Sequence, residues 1–135
     1  MRMRKGFTLI ELLIVLAIIA ALMAVVTPIA LNAVKKAKAT QVAENFRNIK
    51  SAVESYVNVE QDLPTGLSDL SGYLNNIPDN FDLEVDATFV GGTALATIVY
   101  NGGDVPIADL QRVFAEIEAS GTDTPILELE FQKWW

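Results

Sequence analysis

From Leu12 to Leu31 the chain is apolar, interrupted only by Thr27 and Pro28. As a helix rising about 1.5 Å per residue, this run reaches roughly 30 Å, enough to cross a hydrocarbon core. Glu11 stands directly before it. A carboxylate near the middle of a bilayer costs about 2.5–3.5 kcal/mol on insertion scales, so it demands a partner or a task.

Three readings compete for this segment. A cleaved secretory signal has an apolar stretch of about 7–15 residues followed at once by a small-x-small site. The run here is longer, and Ala37-Lys38-Ala39 is a poor site lying well beyond it. A plain membrane anchor fits the length and leaves Glu11 unexplained. The third reading is a short basic leader, residues 1–6, ending in Gly6 and cut before Phe7. Arg2, Arg4 and Lys5 then stay on the cytoplasmic side by the positive-inside rule, although Lys35, Lys36 and Lys38 on the other flank weaken the asymmetry.

Composition narrows what the remainder can do. The 135 residues allow one domain beyond the apolar segment. There is no His and no Cys, which removes Cys/His zinc sites, thiol catalysis, histidine bases and disulfides. Beyond Tyr56 the only basic residues are Arg112 and Lys133, among many Asp and Glu. That balance reads as a solvated acidic surface and argues against specific nucleic-acid binding.

Helical patterning continues past the lysines. Val42, Phe46, Ile49, Val53 and Tyr56 recur at steps of three and four, opposite Glu44, Asn45, Arg47, Asn48 and Lys50. One helix is expected from about Thr8 to Asn58, its second half packed on a sheet. The Pro/Gly/Ser/Asp/Asn-rich stretch "DLPTGLSDLSGYLNNIPDN" reads as a connector, with a short helix suggested by Leu67, Leu70, Tyr73 and Leu74. "LEVDATFV" alternates Leu83, Val85, Ala87 and Phe89 against Glu84, Asp86 and Thr88, the pattern of a half-buried strand. Gly91-Gly92 turns the chain into a second strand, "TALATIVY". "VPIADLQRVFAEIEASG" reads as a helix capped by Asp104, with Pro106 in its first turn, Gly121 at its end, and a stripe of Ile107, Leu110, Phe114 and Ile117. "PILELEFQKW" alternates as a last strand, and Trp134 and Trp135 are expected to finish it and cover part of the core. The fold class is therefore α+β: a long N-terminal helix, hydrophobic in its first half, on a small antiparallel sheet, with an extra helix between the second and third strands.

Nothing in this pattern carries catalysis. Asp79, Asp82, Glu84 and Asp86 supply oxygen ligands, but not with the spacing of a calcium loop. The serines lack a histidine base, and the glycine pairs read as turns rather than phosphate cradles. No enzyme activity, cofactor or metal is expected.

"KGFTLIELLIVLAIIAAL" resembles the class III signal of type IV pilins and pseudopilins, over roughly the first quarter of the chain. The resemblance implies cleavage between Gly6 and Phe7 by a membrane-embedded prepilin peptidase, N-methylation of Phe7, and assembly through Glu11. Cleavage frees an amine at Phe7 with a reference pKa of about 7.7–8. At low dielectric that ammonium and a carboxylate attract far more strongly than in water. The family implies that Glu11 of an incoming subunit pairs with the Phe7 amine of one already assembled. Pairing with its own amine, near the positive end of its helix, is the alternative, and both can occur in turn. Pro28 leaves the Ala24 carbonyl without its helical donor, and it matches a proline common in pilins. A kink or melted stretch is expected between about Leu22 and Pro28, as the family shows in assembled filaments.

These readings divide the chain into a leader (1–6), a transmembrane and filament-core helix (7–34), its amphipathic continuation (35–58) and an α+β head (59–135). The function expected is that of a structural pilus subunit, a homo-oligomer in a helical filament. It begins as a single-pass precursor in the cytoplasmic (inner) membrane and ends in an extracellular filament on the cell surface. The implied partners are the prepilin peptidase, a membrane platform protein and an assembly ATPase. The alternatives are a minor pseudopilin of a type II secretion system and a non-polymerising anchored binding protein. "GTDTPILELEFQKWW" does not resemble the C-terminal calcium loop usual in major pseudopilins, and the disulfide that often clamps this region in pilins is missing.

Overall fold

A computed structural model describes residues 5–121 and 123–135, with the backbone alone at Phe89 and Val90. Arg2 and Arg4, two of the three leader cations in the orientation argument, lie outside the described residues, as does the side chain of Phe89. The chain divides into two compact units, Met1–Lys35 and Lys36–Trp135.

Helix α1 spans Leu9–Glu60, 52 residues. In the first unit its large apolar side chains, from Leu9 to Val34, are all exposed. Pro28 lies inside the helix, which is unbroken there; the preceding Thr27 hydroxyl donates to the Met23 carbonyl (2.7 Å). The loosening expected between Leu22 and Pro28 refers to an assembled filament and stays a proposal.

In the second unit α1 becomes amphipathic. Val42, Phe46, Ile49 and Val53 are buried as the periodicity predicts, Tyr56 is half-buried, and Ala39, Ala43, Ala52 and Val57 fill the gaps. Phe46 supplies the bulk between helix and sheet. Its ring meets Phe81 edge-on, centroids 5.0 Å apart, and Tyr100 at 6.5 Å, the geometry aromatic quadrupoles favour.

Four antiparallel strands form the sheet in the order β1-β2-β4-β3: β1 Phe81–Val90, β2 Thr93–Tyr100, β3 Glu118–Ser120 and β4 Thr124–Gln132. Gly91 and Gly92 both adopt positive φ, 67° and 89°, the primed turn that a twisted two-residue hairpin requires. Ile98 pairs with Leu127 and Ala96 with Leu129, so the buried faces of β2 and β4 coincide. On β1 the expected alternation holds for Leu83 and Val85 but not for Ala87, which is exposed. The register shifts by two between Asp86 and Val90, so residues 87–89 stand opposite Ala94 alone and Ala87 falls in the irregular stretch, outside the regular ladder. The suggested helix in the connector is a 3-10 turn, Leu67–Gly72, anchored by fully buried Leu70.

The second helix departs from expectation. Helix α2 covers only Ile107–Val113, and the segment read as its second half includes β3, which pairs with β4. One tertiary contact and one local bond stand at its end. Arg47 Nη2 donates to the Val113 carbonyl (2.7 Å), occupying the acceptor that a continuing helix needs, and its guanidinium sits 4.9 Å above the Phe114 ring. Gln111 Nε2 donates to the Ile117 carbonyl (2.9 Å). Ile117 is then fully buried, and residues 118–120 gain a ladder that no helix would offer. Gly121 lies in the β3–β4 turn rather than at a helix end.

Asp104 does not cap α2, which begins after Pro106 without a side-chain cap. It pairs instead with Lys38 of α1 and accepts from the Tyr100 hydroxyl (2.5 Å). Gly102 is needed beside this network, since a Cβ there would run into the Tyr100 ring.

Burial and the Asp104 contact push the Tyr100 phenol up to about 12. Burial and the surrounding acids Asp69, Glu60 and Asp62 raise Tyr56, and the hydrogen bond to Glu60 raises Tyr73. The fold thus favours the neutral phenols; for Tyr100 this stabilisation is complete below pH 10, where the unfolded phenol is still protonated, and is lost as pH rises toward about 12. We expect an ultraviolet titration to show the three tyrosines ionising above the usual phenol range, Tyr100 last and together with loss of the head's structure. Tyr100→Phe should remove that late step; a wild-type titration at the free-phenol value would contradict the packing described.

Candidate functional site

Residues 5–8 approach α1 without helical structure, and Thr8 directly precedes its first residue. Gly6 has open space where a Cβ would stand and does not adopt a left-handed backbone. Its fold gives no reason for glycine, so any reason lies with something that reads the chain from outside. Phe7 is 88% exposed, a large aromatic not packed against the described residues.

Glu11 does have a partner within the chain. The Thr8 amide donates to Glu11 Oε2 (2.7 Å), and the Thr8 hydroxyl donates to the same oxygen (3.0 Å). In return the Glu11 amide donates to Thr8 Oγ1 (3.2 Å), and the Leu12 amide reaches the Thr8 carbonyl (3.2 Å). This is a capping box: a Thr N-cap and a Glu three residues on satisfy each other's orphan amides. The negative side chain also stands at the positive end of the helix dipole. This partner is other than the amine expected from the sequence, and its signal, Thr-x-x-Glu before an apolar run, stands in "TLIE".

The box does not depend on the leader. A cut between Gly6 and Phe7 leaves the Phe7–Thr8 amide intact, so every bond just named survives it. All the carboxylate contacts fall on Oε2. Among the described residues nothing is bound to Oε1.

The other residues considered from sequence do not assemble into a site. Among the described residues no three Asp, Glu, His or Cys come together as a metal-ligand group. Asp86 accepts from the Thr88 amide (3.0 Å) and hydroxyl, which lowers its pKa from the usual carboxylate value. Glu84 and Glu128 stand in register across Thr97 on the outer face of the sheet. β4 stops at Gln132, short of the tryptophans. Trp135 packs partly against the core, while Trp134 is 59% exposed, so the expected cover is supplied by Trp135.

Comparison with known proteins places these features. Residues 1–27 match the prokaryotic N-terminal methylation motif, the class III prepilin leader of type IV pilins and pseudopilins. The motif supports a type IV pilin-like or pseudopilin protein. α1 is long and apolar enough to cross a membrane, which fits a transmembrane anchor and an inner-membrane precursor. No curated protein and no solved structure matches the chain.

Thr8→Val keeps side-chain volume and deletes the hydroxyl, and losing a Thr cap costs about 0.5–2 kcal/mol. We expect faster amide hydrogen exchange confined to the first turn of α1 in the detergent-solubilised chain, with the head unchanged. Exchange identical to wild type at Glu11 and Leu12 would show that the box contributes nothing.

Proposed function

We propose that this chain is a structural subunit of a type IV pilus-like filament. Prepilin peptidase removes residues 1–6 by cutting after Gly6, and Phe7 becomes the methylated N-terminal residue. The observation that carries this reading is the methylation motif over residues 1–27, continued by an apolar helix that nothing in the second unit is needed to explain. Residues 7–34 serve as membrane anchor and then as filament core, residues 35–58 continue the helix, and residues 59–135 complete the head.

Glu11 is the register device. Its Oε2 stays in the capping box while Oε1 accepts the Phe7 ammonium of a neighbouring subunit. Two charges that are costly in an apolar bundle are then neutralised together, and the axial offset between helices is set. Uncut chains lack the ammonium and cannot complete this contact, so cleavage licenses assembly. Head-to-tail contacts of this kind generate an open helical filament when the rotation does not close. The platform protein and the cytoplasmic assembly ATPase act on subunits drawn from the inner membrane, and the filament emerges at the cell surface.

Breaking a buried charge pair by removing one partner costs about 3–5 kcal/mol. We therefore expect Glu11→Ala to insert into membranes normally, by resistance to carbonate extraction, while sheared filament yield falls about a hundredfold or more. Undiminished yield would remove Glu11 from the mechanism. Mass spectrometry of the assembled protein should give a chain starting at Phe7 plus one methyl group; an intact Met1 terminus would defeat the leader reading.

A further inference from the structure

An open groove of about 720 Å3 lies in the second unit, along α1 from Lys38 to Ser55. At about 1.5 Å per residue those positions span roughly 25 Å, so the groove is long rather than deep. One wall presents the carboxamides of Gln41, Asn45 and Asn48, and the other, from the segment before β1, those of Asn75, Asn76 and Asn80. Among the described residues none of these six carboxamides is engaged by another protein group. The floor is apolar and buried, formed in part by Val42 and Ala52.

We propose that this groove binds a neutral, linear oligosaccharide. The lining chemistry excludes the other occupants in turn. A carboxamide both donates and accepts, which matches hydroxyl groups, themselves donors and acceptors. Charged ligands find little to pair with: Lys38 is committed to Asp104, Asp79 is the only other charged residue on the lining, and the whole chain carries −7. The phenols are also committed, Tyr73 to Glu60 and Tyr100 to Asp104. A peptide strand relies on apolar pockets for its anchor side chains, and here only Leu74 and Pro78 interrupt the polar residues of the wall before β1. Two facing rows of uncommitted amides over a narrow apolar floor fit a chain of pyranose rings, with hydroxyls to the sides and C–H faces below. This reading does not depend on filament assembly.

The test uses the full chain in a sugar-free detergent and isothermal titration with three probes: maltohexaose, cellohexaose and N-acetylchitohexaose. We expect at least one to bind saturably at one site. Asn48→Ala/Asn76→Ala, one carboxamide from each wall, should weaken that binding about tenfold or more. Glu130→Gln, on the outer sheet face, should leave it unchanged. If the double variant loses its circular dichroism signature, Asn80→Gly replaces it, because glycine keeps the left-handed backbone of Asn80 (φ 64°) while deleting the carboxamide. Failure of all three probes to bind overturns the proposal. So does binding indifferent to these groove substitutions, or tighter binding of a hyaluronan hexasaccharide or an unstructured peptide.

Discussion

The structure answers to one constraint: the first half of α1 finds no apolar cover among the described residues. A run of exposed Leu, Ile and Val from Leu9 to Val34 exceeds what a soluble monomer leaves open. Such a surface needs lipid, or other helices like itself. The capping box matters in that setting because it closes the polar end of the helix locally. Thr8 and Glu11 satisfy one another's amides, so the carboxylate at the start of the apolar run is not an orphan even before any neighbour arrives. What remains uncommitted, one carboxylate oxygen, is what a neighbour could use.

The second half of the same helix solves its burial problem differently. Small residues alternate with Val42, Phe46, Ile49 and Val53, and the sheet covers that stripe. Polar cross-links then tie loops to the helix where hydrophobic contact is thin. Lys38 reaches Asp104, Lys50 reaches Glu116 (2.6 Å), and Arg47 holds the end of α2. The first two are ion pairs on a solvated surface, where water and salt screen the attraction. Arg47 does more than pair, since it takes a carbonyl, covers the Phe114 ring and decides where a helix stops.

Much of the architecture was legible in the residues. The stripe on α1, the Gly91-Gly92 hairpin and the alternation of β4 all came from local periodicity and turn chemistry, and the leader from "KGFTLIE". β3 was not legible. "EIEAS" follows a helical stripe, and Phe114 and Ile117 fit that stripe as well as they fit the structure. Only the edge of β4 and the reach of Arg47 settled it. Asp104 misled for a related reason: an acid just before Pro106 has the chemistry of a cap, but Lys38, sixty-six positions earlier, bids for it more strongly. Thr8 was legible and overlooked, because a charge in an apolar run directs attention to other charges.

By itself the sequence determined what is written within a few turns of chain: the long helix and its apolar face, where the Gly91-Gly92 turn falls, and that its N-terminus carries the methylation motif on an apolar rod. Those features follow from contacts between neighbours three or four residues apart, whose strength does not depend on the rest of the molecule. The tertiary structure alone decided where α2 ends, that β3 joins the sheet, what Asp104 binds, and that six carboxamides from two separate segments face one groove. Each of these choices is a competition between partners far apart in the chain, and its outcome depends on distances that exist only once helix and sheet have packed.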